Sequence, residues 1–565
     1  MVKIQLLKLC PFRFSTFTGS ALFWLLASYP VSAQIVPDTT VNTIVTPSGN
    51  TFDITGGTQR GSNLFHSFQQ FSVPNGGQAF FKNAGDIQNI ISRVTGRSVS
   101  NIDGLIRTLG MANLFLINPN GIVFGPNASL DIKGSFVAST ANSLRFADGT
   151  EFSATNPQAD PLLTISVPLG LQFGSNPGGI VSSTANLQVP SGKTLALVGG
   201  NVTLEGGNLT AVDGRIELGS VGTGSVNLSE NLQGLEYSGV QNFQDIKLSD
   251  GARVEARGQS SGGIQVQGRN INLTGGAQIS SRNSGAGTGG TLTVNAAESV
   301  NLSGDNTSLL TSTSGIASAG NLTLTTRKLT VKDGASIATV TNSPGSAGDL
   351  LVRATDVQLS GTTTDGNPSG LSGQVQQSAT GKGGNLTIET GRLRITDGAA
   401  VDASTFGEGQ AGNILVKATD AVELVGEGPN FPNFPSGIFA QVAESDIPNA
   451  GDAGTLTIKT GRLTVQDGAQ ISTAARKGGN GGELSITADS ITLSGVSPQF
   501  ATVAADKQET YRSGIFVSAE KGARGNVGNL NITSSLPREL CRVAHLTDKL
   551  LKNQEIAWQR STLWI

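Results

Sequence analysis

Two stretches in the second half of the chain share one pattern: GNLTIETGRLRITDGAAVDAST at residues 384–405 and GTLTIKTGRLTVQDGAQISTA at residues 454–474. Apolar and polar residues alternate within short runs, as they do in a half-buried β-strand. The dipeptides Thr390-Gly391 and Asp397-Gly398 separate the runs of the first copy, and such dipeptides accept the positive φ of a tight turn. The pattern predicts three short strands in each copy.

A block of the form small-Gly-x-apolar-polar-apolar opens each copy and starts at residues 289, 319, 347, 383, 411, 453, 481 and 527. Successive blocks are 30, 28, 36, 28, 42, 28 and 46 residues apart, so the repeating unit is a pair of coils. One coil cannot bury its own inward Leu, Ile and Val, whereas stacked coils align them in ladders. The sequence therefore predicts an all-β fold, a right-handed parallel β-helix. A β-sandwich, the alternative, would need antiparallel hairpins and no such long period.

The longer coils contain extra residues between their second and third strands, at 305–313, 362–368, 427–435 and 496–512. A Ser-Gly-apolar sequence marks the restart of the third strand, and the serines are Ser314, Ser369, Ser436 and Ser513. Insertions in a solenoid project from one side. We expect these segments to form a row of loops along one edge.

Two of these loops contain aromatic residues in a region that is otherwise poor in them: Phe431, Phe434, Phe500 and Tyr511. Aromatic side chains on loops of a rigid scaffold are plausible anchors for sugars or protein partners. These residues are the candidate binding residues. The alternative is that the loops fold back and cover a coil edge.

The distribution of phenylalanine divides the chain into two parts, because sixteen of its 23 phenylalanines precede residue 175. An aromatic-rich segment can close an ordinary core, whereas the later repeats must bury small aliphatic residues. We expect a signal peptide at 1–33, an N-terminal secretion and capping domain at 34–240, β-helix repeats at 241–533 and a non-repeat tail at 534–565. In the tail, helical spacing predicts a cap, with a truncation or reading-frame artefact as the alternative; the apolar positions are Leu540, Val543, Leu546 and Leu550.

The first residues have the pattern of an export signal. Lys3, Lys8 and Arg13 precede a short apolar run at 21–29, and small residues end at Ala33. The run is too short to span a bilayer comfortably, so we expect no stable transmembrane span. The pattern predicts cleavage after Ala33 and passage through the periplasm to the cell surface or the medium.

The most specific motif is NLFLINPNGIVFGPNA at residues 113–128, preceded by NLFHSFQQFSV at 63–73 and followed by GSFVAST at 134–140. These segments resemble the N-terminal domain of filamentous haemagglutinins, the exported partners of two-partner secretion systems. The family's N-P-N-G-I motif is present as Asn118, Pro119, Asn120, Gly121 and Ile122. Its second motif, N-P-N-L, is absent, and residues 96–100 (GRSVS) occupy the corresponding place.

The resemblance implies export through an outer-membrane partner transporter and a role as an adhesin or a cell-coat component. Host-cell, glycan or cell-envelope ligands would fit such a role. From the residues alone, the motif is also a good turn between two strands, since proline fixes φ and Asn-Gly accepts a positive φ. The structural and the recognition interpretations are compatible.

Other functions find little support in the sequence. The net charge of −3 disfavours nucleic acid as a partner. The Gly-rich stretch at 285–290 precedes a strand where a dinucleotide site needs a helix, so we expect no cofactor. The Asp-Gly turns have no acidic neighbours in register, which favours Asx-turns over a metal site. An enzyme acting on polysaccharides is the rival, but no paired carboxylates recur one coil apart, and we expect no catalytic activity.

Overall fold

The computed structural model describes residues 35–158, 163–428, 434–443, 447, 449–476, 478–504, 508–519, 523, 525–534 and 560–564. They belong to one compact unit, Ala33–Ile565. Its strands up to Phe243 are β1 Ile35–Pro37, β2 Thr43–Ser48, β3 Thr51–Gly56, β4 Thr58–Arg60, β5 Asn63–Phe71, β6 Gln78–Phe81, β7 Asn89–Val94, β8 Ser100–Ile102, β9 Leu105–Thr108, β10 Asn113–Ile117, β11 Ile122–Phe124, β12 Ser129–Asp131, β13 Phe136–Ser139, β14 Ser143–Phe146, β15 Glu151–Ser153, β16 Pro168–Phe173, β17 Ile180–Ser183, β18 Asn186–Val189, β19 Thr194–Gly199, β20 Val202–Glu205, β21 Asn208–Val212, β22 Arg215–Leu228 and β23 Leu235–Phe243.

The strands of the second half are β24 Ile246–Ser249, β25 Arg253–Gly258, β26 Ile264–Thr274, β27 Gln278–Asn283, β28 Leu292–Ser303, β29 Ser308–Thr313, β30 Leu322–Thr325, β31 Lys328–Lys332, β32 Ser336–Thr341, β33 Leu350–Arg353, β34 Asp356–Ser360, β35 Gly370–Val375, β36 Leu386–Thr396, β37 Ala400–Asp402, β38 Ile414–Val425, β39 Gly437–Phe439, β40 Leu456–Gln466, β41 Gln470–Ser472, β42 Leu484–Ser494, β43 Gly514–Ser518, β44 Leu530–Ser534 and β45 Arg560–Trp564. Short 3₁₀ helices at Glu230–Leu232 and Gln508–Tyr511 complete the described secondary structure.

The strands pair in parallel from one coil to the next. In the repeats, one register series runs through the first apolar position of every block, from Leu292, Leu322, Leu350 and Leu386 to Ile414, Leu456, Leu484 and Leu530. The spacings of that series are those of the sequence blocks, so each step is one complete coil. The predicted parallel β-helix is confirmed.

Three sheets result from this stacking. Sheet 1 has 28 strands and includes the first two strand runs of each coil. Sheet 2 has the order β12-β9-β6-β3-β2, and sheet 3 contains the third strands from β18 to β43, with β45 at its end. The inward side chains of all the coils form one continuous apolar core, from Ile35 to Val517.

Five phenylalanines of the first part belong to a second core outside the coils. An antiparallel layer, β15-β14-β16-β22-β23, covers the outer face of the first coils. Between the layer and the coils lie buried side chains that include Phe65, Phe115, Phe146, Phe152 and Phe173. The aromatic-rich composition therefore serves both cores, because a second set of phenylalanines lies in the interior core of the coils: Phe68, Phe71, Phe81, Phe124 and Phe136.

Two details of the predicted coil are wrong. Thr390-Gly391 is not a left-handed turn: β36 runs through it in extended conformation, and Gly391 N donates to Thr355 O at 3.0 Å. The segment 305–313 is not an inserted loop, because it contains a tight turn followed by β29, the third strand of its coil. Ser314 follows that strand, so it does not mark a restart as Ser369, Ser436 and Ser513 do.

The Asp-Gly corners between sheets 1 and 3 are tight turns of the backbone. Asp397 has a φ of 57° and Gly398 a φ of 83°, and Ala399 N donates to Thr396 O at 3.1 Å. The backbone closes this turn, so the expected Asx-turn, closed by the aspartate side chain, is not what is found. Positive φ values recur at the equivalent aspartates, Asp250, Asp333 and Asp467.

At three of these corners, a serine of the next coil accepts a hydrogen bond from the glycine amide. At the Asp250 corner, Gly251 N donates to Gly275 O instead. The Gly398 N–H donates to the hydroxyl of Ser436 at 2.9 Å, and Gly334 and Gly468 donate to Ser369 and Ser513 in the same way. These serines are buried, so their hydroxyls pair amides that would otherwise lack a partner. The Ser-Gly restart and the Asp-Gly turn are therefore two halves of one corner.

The predicted helix in the tail falls on residues that lie outside the described part of the chain, as does the signal peptide with its cleavage site. Of the tail beyond Ser534, only β45 is described, and it pairs antiparallel with β43.

Candidate functional site

The Asn118–Ile122 motif forms a turn between β10 and β11. Asn120 N donates to Asn118 Oδ1 at 3.0 Å, and Gly121 N donates to Asn118 O at 3.1 Å. Gly121 has a φ of 126°, which suits glycine at this position. Ile122 is buried in the coil core, so the motif fixes the point at which β11 begins.

Turns of neighbouring coils lie against the motif on both sides. Asn118 Nδ2 donates to Ser98 O at 3.0 Å and to Ser100 Oγ at 2.9 Å, so GRSVS packs directly against the motif. On the other side, Gly178 N donates to Pro119 O at 2.8 Å. A Cβ on Gly178 would come within 2.3 Å of the Asn120 backbone, so the approach requires glycine there.

The two asparagines of the motif have different environments. Asn118 has no exposed surface, and its amide joins two coils. Asn120 is exposed, although its Nδ2 donates to Gly96 O at 2.7 Å. Asn120 therefore presents its side chain to solvent, whereas Asn118 supports the conformation of the turn.

Arg93, on β7, is the largest fully buried side chain of the domain. It donates to Ser67 Oγ at 2.8 Å, Ser153 O at 2.6 Å and Thr40 Oγ1 at 2.9 Å, and it lies 4.0 Å from the centre of the Phe152 ring. Burial lowers its pKa to about 10 even though Asp38 acts in the opposite direction. Arg93 therefore ties the N-terminal segment and the antiparallel layer to the coils.

Asp38 completes this network. Burial raises its pKa, but hydrogen bonds from Ser67, Thr95 and Thr40 outweigh burial and bring the pKa below its ordinary value. Its Oδ2 accepts from Ser67 Oγ at 2.6 Å and from Thr95 Oγ1 at 2.7 Å. The carboxylate is thus held ionised close to the Arg93 guanidinium.

A second buried polar group lies beneath β23. Glu217 has no exposed surface and pairs with the Arg215 guanidinium, which also donates to Gln265 Oε1 at 3.0 Å. Burial raises the pKa of Glu217 to about 7, with Arg215 acting in the opposite direction. The Tyr237 hydroxyl of β23 is buried over the same spot, and its pKa is raised by burial and by Glu217.

The three remaining insertions form loops at the corner between sheets 1 and 3. Antiparallel bridges close them at Thr362 and Pro368, at Glu427 and Pro435, and at Val496 and Arg512. Ser497 Oγ donates to Glu427 Oε1 at 2.9 Å, so the last two loops contact each other. The loops therefore lie in a row, as the repeat pattern predicts.

Three of the four candidate aromatic residues lie in the described part of these loops. Phe434, Phe500 and Tyr511 are half-buried, and Phe431 lies outside the described residues. The Arg512 guanidinium lies 4.7 Å from the centre of the Phe500 ring. The three described rings are partly covered and partly accessible, so their role as binding residues stays a prediction.

Sequence reasoning missed Arg93 and Glu217. Each stands among apolar residues on a strand, Arg93 in NIISRV and Glu217 in RIELGSV. The available signal for these two buried residues was a charged side chain within an otherwise apolar strand. Whether such a residue is buried depends on the antiparallel layer, which no local sequence pattern indicates.

The described residues contain no group of three or more His, Cys, Asp or Glu side chains that could hold a metal ion. In the same part of the chain, no helix is long and apolar enough to cross a membrane.

Residues 33–266 match the family model of the TPS secretion domain, where TPS denotes two-partner secretion. Residues 33–266 are a two-partner-secretion domain. The matched region contains the motif turn, the Arg93 network and the Glu217 site. It ends within β26, beyond the boundary at 240 that the sequence suggested, and that boundary stays a prediction.

Two solved structures are similar to this chain. One is the HMW1 secretion domain from Haemophilus influenzae, with 16% identity, a TM-score of 0.38, and coverage of 81% of this chain and 95% of that one. The other is the filamentous hemagglutinin secretion domain, with 16% identity, a TM-score of 0.27, and coverage of 58% and 99%. No curated protein matches the sequence. The matched family is a secretion domain and not a family of enzymes.

Proposed function

We propose that a partner transporter in the outer membrane exports this exoprotein by engaging its secretion domain. The match of residues 33–266 to the TPS secretion domain carries the proposal. The signal-like N-terminus supports a route through the periplasm. The exposed Asn120 gives a transporter a side chain to contact, and the buried Asn118 holds the turn in place.

The two asparagines allow recognition to be separated from folding. We expect Asn120→Ala to reduce secretion while the purified domain melts almost normally, because Asn120 contributes mainly surface contacts. We expect Asn118→Ala to reduce both secretion and the melting temperature of the domain, since Ser98 O and Ser100 Oγ lose their shared donor. Cell fractionation with and without the transporter, following the protein in medium, surface and periplasm, measures secretion.

Asn385→Ala is the matched control. Asn385 forms similar contacts between coils, donating to Asp349 Oδ1 at 3.0 Å, but it lies in the repeats. We expect it to be secreted normally. Normal secretion of Asn120→Ala, or surface display without any transporter, would contradict the proposal.

After export, we propose that the protein acts as an adhesin or as a component of the cell coat and has no catalytic activity. A rigid stack of coils that presents a row of loops at one corner supports this role. Phe434, Phe500 and Tyr511 provide partly exposed aromatic surface on that row, as sugar and protein ligands require.

A further inference from the structure

The outer face of sheet 3 contains a half-enclosed cleft of about 360 Å³. It lies in the secretion domain, and none of its lining residues belongs to the motif turn or to the loops of the repeats. Strands β18, β21 and β25 line it with polar side chains: Asn186, Gln188, Asn208, Thr210, Arg253, Glu255 and Arg257.

The register of these strands explains the cleft. Gln188, Thr210 and Glu255 occupy equivalent positions on three successive coils. Parallel strands are about 4.8 Å apart, so the three side chains stand side by side. Thr210 is the shortest of them and forms the floor between two longer neighbours.

The charges of the cleft are unbalanced. Glu255 accepts ion pairs from Arg257 Nε at 3.5 Å and from Arg282 Nε at 3.2 Å, so its charge is already shared. Within the described part of the chain, no ion pair engages Arg253. The two arginines and one glutamate that line the cleft leave one positive charge there, although the whole chain has a net charge of −3.

The hydrogen-bonding groups of the cleft fit a sugar. Asn208 Nδ2 donates to Asn186 Oδ1 at 2.6 Å, which aligns two amides along one wall. Amides and hydroxyls can both donate to and accept from ring hydroxyls. The guanidinium of Arg253 has the geometry to bind a carboxylate through two parallel hydrogen bonds.

We propose that this cleft binds an acidic saccharide, with the sugar carboxylate on Arg253 and the ring hydroxyls on Asn186, Gln188 and Thr210. Coils repeat along the helix axis, so an extended chain of sugars could continue across neighbouring rungs of sheet 3. Binding of the saccharide to the cleft would depend neither on ligand binding by the loops nor on export.

Calorimetry on the purified full-length protein tests the proposal, with trigalacturonate as the acidic probe and maltotriose as the neutral one. We expect binding of trigalacturonate and at least tenfold weaker binding of maltotriose. Arg253→Gln should weaken trigalacturonate binding about tenfold, because a charge-assisted pair is replaced by a neutral contact. Thr210→Trp should abolish binding by filling the floor.

Arg392→Gln is the matched control, since Arg392 is an exposed arginine on the outer face of sheet 1. It should bind trigalacturonate as the unaltered protein does. Absence of trigalacturonate binding, equal affinity for maltotriose, or an unchanged affinity of Arg253→Gln would each overturn the proposal. Displacement by inorganic phosphate at equal concentration would also overturn it, by indicating a simple anion site.

Discussion

The pKa of Glu217 is sensitive to the packing of the antiparallel layer on the coils. It is an acid buried between the coils and β23, and burial raises its pKa from 4.5 to about 7. The folded protein therefore binds more protons than the unfolded chain between these two values. Stability consequently falls as the pH rises from about 4.5 through 7, and the contribution is fully present only below 4.5.

We expect Glu217→Gln to remove this dependence and to stabilise the protein above pH 7, because a neutral amide needs no proton to remain buried. Thermal melts from pH 4.5 to 8, together with hydrogen exchange of β23, measure the effect. Glu389→Gln is the control: hydrogen bonds from Arg353 and Lys417 lower the pKa of that partly exposed carboxylate, so its contribution has the opposite sign. An unchanged pH slope in Glu217→Gln would refute the assignment.

At the scale of the element, the coil corner has two interchangeable forms. Short coils turn through Asp-Gly, as at Asp397 and Asp467, whereas long coils carry a loop closed by an antiparallel bridge. Both forms lead into the same third strand of sheet 3. A loop can therefore be exchanged for a short turn without changing the stack.

We expect a variant in which Asp-Gly replaces residues 496–512 to fold and to be exported normally. Its adhesion to cells or glycans should fall if the row of loops binds the ligand. Exchange of 362–368, the loop without aromatic residues, is the matched control and should leave adhesion unchanged. Full adhesion after loss of 496–512 would remove that loop, with Phe500 and Tyr511, from the binding surface.

The repeats were the most predictable part of the molecule. The block spacing gave the coil length, because Leu386, Ile414 and Leu456 must each return to the same interior position. The extended Thr390-Gly391 segment was mistaken for a turn, since a glycine in sequence does not reveal whether its φ is positive. The buried state of Asn118 was equally hidden, because it depends on Ser98 and Ser100 of a neighbouring coil.

At the scale of the whole molecule, two kinds of packing meet in one helix. The first coils are stabilised by the interior core and by the second core beneath the antiparallel layer. The later coils have the interior core together with the corner hydrogen bonds of Ser369, Ser436 and Ser513. Because coils contact mainly their neighbours, damage in the repeats should spread only over short distances.

Leu456 offers a direct test of this locality. It is fully buried between Ile414 and Leu484 of the adjoining coils. Leu456→Asp would place an unpaired charge in a dry interior at a cost of several kcal/mol. Hydrogen exchange should then show lost protection in β38, β40 and β42, while β5, β7 and β10 keep theirs. Thr457→Asp, which changes the outward neighbour on the same strand, should have little effect. Equal loss of protection in β5 and β40 would mean that the protein unfolds as a single cooperative unit, contrary to the behaviour of a solenoid.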